Sequence, residues 1–138
     1  MADFQRKIEA EIENIEMVLF HLEEAIERPE KTVIELSAMA TFLHNAYNGI
    51  ENILKQVLKN QNIKIKKTDR WHKDVLARCV EMKIISVELE DDLYEYLTFR
   101  HFFIHSYGFL LQEAPIIELA EKLPTVWLQF KNEIKRLL

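Results

Sequence analysis

Glycine and proline are scarce in this chain: its 138 residues include two glycines and three prolines. Tight turns draw on both residues, so a fold with many reversals is excluded and a few long helices are expected. Cysteine is almost missing as well. The single one, Cys79, cannot close an internal disulfide; it suits a reducing cytosol and reads as a small buried residue. No apolar run reaches the length of a membrane span, because charges interrupt each one. The opening residues, MADFQRKIEAEIE, are charged throughout and lack the apolar core of a signal peptide. A cytoplasmic chain without membrane association is the expectation. Net positive charge is absent too: the formal value of −5 argues against binding nucleic acid by bulk electrostatics.

What is present is ordinary for a soluble globular protein, with 49% hydrophobic and 30% charged residues. The length suits one domain, residues 1–138, around one core. The charge is unevenly placed. Residues 1–30 hold nine acidic and three basic side chains, whereas residues 55–78 hold eight basic and two acidic ones. Lys64, Lys66, Lys67, Arg70 and Lys73 are therefore candidate contacts for a phosphate backbone. A solvated lysine-rich loop would have the same composition.

Five helices can be read. Phe4, Ile8, Ile12, Ile15, Leu19, Leu22 and Ile26 recur at spacings of three and four, which predicts a helix over about 3–27, with Asp3 as N-cap and Pro29 beyond its end. Thr32 and Glu35 form a capping-box pattern that opens a second helix to about residue 60, striped by Leu36, Ala40, Leu43, Tyr47, Ile50, Leu54 and Val57. Gly49 falls inside it; either close approach of a neighbouring helix or chance would put it there. Residues 61–69 form a polar, basic loop, from which Asp69 caps a third helix to about 82. Ser86 caps a fourth, whose first turns are acidic and which runs to about Tyr107 with Gly108 as its stop. Pro115 suits the first turn of a fifth, which Pro124 kinks or breaks before Val126, Trp127, Phe130 and Ile134 resume the pattern. The fold class is all-α, an antiparallel helical bundle.

The chemistry-bearing residues gather at residues 99–108, where Arg100, His101, His105, Ser106 and Tyr107 stand among Phe and Ile. At about 100° per residue, Arg100 and Tyr107 share a helix face and His105 lies about 140° round from Arg100. Arg100 and His105 converge only if the helix ends there or if two copies pack across a dimer axis. Such a set supports RNA cleavage without metal. An imidazole takes the proton of a ribose 2′-hydroxyl, and a guanidinium grips the phosphoryl oxygens as charge builds. Each residue also has a plainer reading. Arg100 could pair with Glu95 or Glu51, and His105 and Tyr107 could be satisfied core residues. His101 and His105 have the i, i+4 spacing of a metal pair, but no cysteine or carboxylate completes a set nearby. His44, Tyr47 and Glu51 share a face that packs in the core or supports the fourth helix, and His72 reads as a cap or a packed ring.

The spacing Arg100-x4-His105-x-Tyr107 resembles the R-x4-H-x-Y motif of HEPN-superfamily ribonuclease toxins of the HepT kind. Residues 42–51, FLHNAYNGIE, are similar to the second helix of those proteins; Trp71-His72-Lys73-Asp74-Val75-Leu76 resembles their W-H-x-x-L segment, and Leu123-Pro124-x-Val126-Trp127 their last helix. The resemblance implies an all-α homodimer with paired motifs facing across the interface. It implies RNA as substrate, tRNA among the targets, no cofactor, and a minimal nucleotidyltransferase antitoxin that silences the toxin by transferring AMP to Tyr107. Arg100 and His105 would then be catalytic, with His101 and Ser106 in support. Many relatives carry Asn or Asp after the motif arginine where this chain has His101. The alternative from a different class is a non-catalytic subunit that presents a nucleotide or substrate to a nucleotidyltransferase. It would lose only complex formation, not an activity, on Arg100→Ala.

Overall fold

Two of the helices start where a side chain satisfies a free N–H group, and each buries the face that its apolar spacing defines. A computed structural model describes residues 2–105 and 112–138. Its five helices are α1 (Ala2–Glu27), α2 (Val33–Asn60), α3 (Trp71–Glu81), α4 (Val87–His105) and α5 (Glu113–Lys135). There is no strand among the described residues.

The capping box at Thr32 is formed. Ile34 N–H donates to the Thr32 hydroxyl at 3.2 Å and Thr32 N–H donates to Glu35 Oε1 at 2.9 Å. Ser86 caps α4 through Leu89 N–H at 3.2 Å, and Glu133 of α5 in turn accepts the Ser86 N–H and hydroxyl. Two expected caps differ. Asp3 lies inside the first turn of α1, where it pairs with Lys7, because α1 already begins at Ala2. The N-cap of α3 is Arg70, one residue after Asp69, and no side chain caps it; the Thr68 hydroxyl accepts Arg70 N–H instead and closes the preceding turn. Pro124 neither ends nor interrupts α5, which is continuous through it. A proline forfeits one backbone hydrogen bond, and Leu123, Val126 and Trp127, buried on either side, hold the helix in place.

Contacts fix the antiparallel arrangement. Along α1 and α2, Ile15 meets Gly49 while His21 stacks on Phe42. Along α2 and α4, Asn48 bonds Arg100 while His44 meets Phe103. Along α4 and α5, Ser86 meets Glu133 while Tyr96 donates to the Leu119 carbonyl at 2.8 Å. In each pair one partner's number rises as the other's falls. α2 packs against all four other helices, so its whole buried stripe lies at the centre of one core. Cys79 is fully buried there, and burial pushes its thiol up to about 12.

Candidate functional site

Beside its buried stripe, α2 carries four polar residues, His44, Asn48, Glu51 and Lys55, at spacings of four, three and four. They therefore form one strip along the helix, facing α3 and α4. Asn48 is the hinge of this strip. Arg100 of α4 donates through Nε to Asn48 Oδ1 at 2.7 Å, and Asn48 Nδ2 lies 3.0 Å from His44 Nε2. The amide nitrogen can only donate, so Nε2 accepts and the network assigns the His44 proton to Nδ1. That nitrogen is buried without a partner among the described residues. Burial, and after it the Arg100 charge, hold the His44 pKa below its ordinary 6.5, which keeps the ring a neutral acceptor.

One turn further, Glu51 is only 3% exposed and sits between two nitrogen partners, His72 and Lys55. Its Oε1 accepts from His72 Nδ1 of α3 at 2.7 Å and from Lys55 Nζ at 3.3 Å. Its Oε2 and the buried Tyr47 hydroxyl have no hydrogen bond of good geometry among the described residues, although the Glu51 carboxylate is close enough to act on the phenol. Burial first and that carboxylate second push Tyr47 well above 10, so it stays protonated. Around His72 the surface is aromatic and basic. The Trp71 ring lies 4.3 Å from the His72 ring, with Lys55 Nζ 3.9 Å and Lys67 Nζ 5.8 Å from the Trp71 centroid.

The candidate residues fall into three groups. Arg100 is half-buried and turned toward α2; among the described residues no carboxylate pairs with it. Glu51 is taken by His72 and Lys55, and Glu95 by Lys122 at 3.4 Å, so neither of the carboxylates considered for Arg100 is its partner. With Nε engaged, its two terminal nitrogens have no hydrogen bond among the described residues. His101 and His105 are exposed at the end of α4, their rings 4.4 Å apart. Arg100 and His105 do not meet within the described residues, as the angular separation between them predicts. Among the described residues, no three His, Cys, Asp or Glu side chains gather as a metal site. Ser106, Tyr107 and the expected stop at Gly108 lie outside the described residues. Lys64, Lys66, Lys67, Arg70 and Lys73 are all exposed, on the loop after α2 and the start of α3. Sequence reasoning passed over Asn48 and the Glu51–His72 pair. The signal that could have found them was the polar 44/48/51/55 strip running beside an otherwise apolar stripe.

A family model described as HepT-like protein matches residues 38–138, from the first turns of α2 to the C-terminus. Among solved structures, YutE, a cytosolic protein of unknown function from Bacillus subtilis, superposes with a TM-score of 0.77 at 16% identity. The match covers 97% of this chain and 90% of that one, and it shows the fold. No curated protein matches the chain.

Proposed function

The chain belongs to the HepT-like protein family, and on that premise we propose that it is a metal-independent endoribonuclease, the toxin of a toxin–antitoxin pair. The observation that carries this reading is the state of Arg100: anchored through Nε to a neutral amide, beside exposed imidazoles, with no carboxylate partner among the described residues. A structural arginine in a folded core usually has an anion beside it. One held by an amide keeps its charge uncompensated and its two-pronged end ready for a phosphate.

The reaction follows from these groups. His105 takes the proton of a ribose 2′-hydroxyl, the 2′-oxygen attacks the adjacent phosphorus, and Arg100 stabilises the charge on the non-bridging oxygens. The bond to the 5′-oxygen breaks, leaving a 2′,3′-cyclic phosphate and a 5′-hydroxyl. Because Arg100 points inward and His105 outward, the working site is shared by two copies that meet at the ends of their α4 helices. His101 and Ser106 support it. Exposed Phe102 and Ile104 supply the apolar contact for that dimer. Lys64, Lys66, Lys67, Arg70 and Lys73 guide the RNA backbone, a local basic patch on an acidic protein. A minimal nucleotidyltransferase antitoxin silences the enzyme by transferring AMP to Tyr107, filling the phosphate site with a covalently held nucleotide.

The test is cleavage of RNA by the purified chain in a chelator. The expected products carry cyclic phosphate ends, and Arg100→Ala or His105→Ala lowers the rate about 100-fold or more with the melting temperature kept. RNA left intact by the folded wild-type protein would overturn the reading.

A further inference from the structure

We infer that His72 is a second catalytic imidazole of the proposed cleavage, held by buried Glu51 to give a proton to the leaving 5′-oxygen. The inference rests on the ribonuclease reading and completes its proton balance. Cleavage moves two protons: one leaves the attacking 2′-hydroxyl and one must reach the departing 5′-oxygen. His105 accounts for the first. Arg100 cannot supply the second, because a guanidinium does not release its proton.

The other histidines are placed for different tasks. His44 is committed as a neutral acceptor to Asn48. His21 sits on the exposed side of α1 beside Glu24, near Phe42. His101 has a ring contact with His105 but no hydrogen bond among the described residues to orient it. His72 alone is oriented by a buried carboxylate: its Nδ1–H donates to Glu51 at 2.7 Å, with Glu51 only 3% exposed. A carboxylate has no proton to offer here, so Nδ1 carries one and Nε2 is the nitrogen that exchanges with substrate. The imidazole keeps 26% of its surface exposed, enough to meet an incoming phosphate.

Its position relative to Arg100 follows from α2. Asn48 and Glu51 are three residues apart, about 4.5 Å along the helix axis on neighbouring faces. Arg100 docks on the first from α4 and His72 docks on the second from α3, and α3 packs against α4. One helix thus anchors the guanidinium and the imidazole about one turn apart, with Trp71 against the imidazole and Lys55 on the same carboxylate. In the step, the bond from the 2′-oxygen to phosphorus forms and the bond from phosphorus to the 5′-oxygen breaks. The 2′-proton goes to neutral His105; His72 enters the step as imidazolium, gives its Nε2 proton to the 5′-oxygen, which leaves as an alcohol, and ends neutral with Nδ1–H still on Glu51. Turnover returns both imidazoles by exchange with water.

The experiment compares a natural RNA with one whose scissile 5′-oxygen is replaced by sulfur, since a thiolate leaves without a proton. The principal variant is His72→Asn, whose amide can still donate to Glu51 and so keeps the buried carboxylate partnered. On the natural RNA this variant is expected to lose about 100-fold in rate; on the sulfur-containing RNA it is expected to approach the wild type. Glu51→Gln follows the same pattern more weakly, while His105→Ala stays slow on both. Equal losses for His72→Asn on the two substrates, or no loss on either, overturn the assignment. A wild-type protein that cleaves neither RNA overturns the ribonuclease reading itself, and that failure is visible without any variant.

Discussion

Asn48 has one orientation that works, and its neighbours choose it: the carbonyl oxygen faces a guanidinium and the amide nitrogen faces an imidazole. That choice holds only while His44 is neutral. Protonation would set a ring N–H against the amide NH₂, and turning the amide over would face NH₂ toward Arg100. Because the folded pKa of His44 is lowered, the unfolded chain binds the proton first as pH falls. The contribution of His44 is therefore fully present above its unfolded value of 6.5 and is lost as pH drops through that value toward the folded one. His44→Gln keeps an acceptor for Asn48 and removes the titration. Thermal melts at about pH 7.5 and 5.5 are expected to show the wild type losing stability faster than the variant over this interval. Parallel losses would mean that His44 is not the group responsible. The carboxylates whose pKa values are lowered, Glu16 by the Lys131 hydrogen bond and Glu35 by Thr32, act below 4.5 and leave this window clear.

Helix by helix, the local signals worked where a side chain could decide the matter alone. The Thr32–Glu35 box and the Ser86 cap were legible because capping depends on residues within one turn. Of the two outcomes the sequence left open at Pro124, a break does not occur: the cost of one missing backbone bond is local, whereas the packing of Val126, Trp127 and Phe130 against the core is not. Gly49 left two explanations open in the sequence, and the structure decides for close approach. A Cβ there would lie 2.5 Å from Ile15 Cγ1 and 2.8 Å from its Cδ1. Ile15 is itself buried, so its side chain or the helix that carries it would have to shift. Gly49→Ala gains about 1 kcal/mol in helix propensity but meets an overpacking cost of about 1–3 kcal/mol. The expected result is a net loss of about 1 kcal/mol in urea denaturation, and Ile15→Ala should cost less in that background than in the wild type. An alanine variant more stable than the wild type would show that the two helices part freely.

Across the whole molecule, α2 organises the rest. It is the one helix in contact with all the others, and its polar strip gathers residues from α3 and α4 that lie far apart in the chain. The end of α4 is the opposite case: Phe102 is 40% and Ile104 46% exposed next to two imidazoles. If that end is the dimer interface, Ile104→Asp is expected to shift sedimentation from dimer to monomer at micromolar concentration. On the proposed shared site, RNA cleavage should fall in parallel. A variant that stays dimeric would place the interface elsewhere.

The sequence by itself determined the five helices, their buried stripes, two of their caps and the family resemblance carried by Arg100, His105 and Tyr107. All of these depend on spacings within a turn or two of one helix, which the order of residues sets directly. Which polar groups become neighbours was decided only when the helices packed. That Arg100 is held by an amide rather than a carboxylate, and that buried Glu51 orients His72, follows from how α3 and α4 lie across α2. Partners 21 and 52 residues apart have no shared periodicity to reveal them. Only the antiparallel packing of the core brings them within hydrogen-bonding distance.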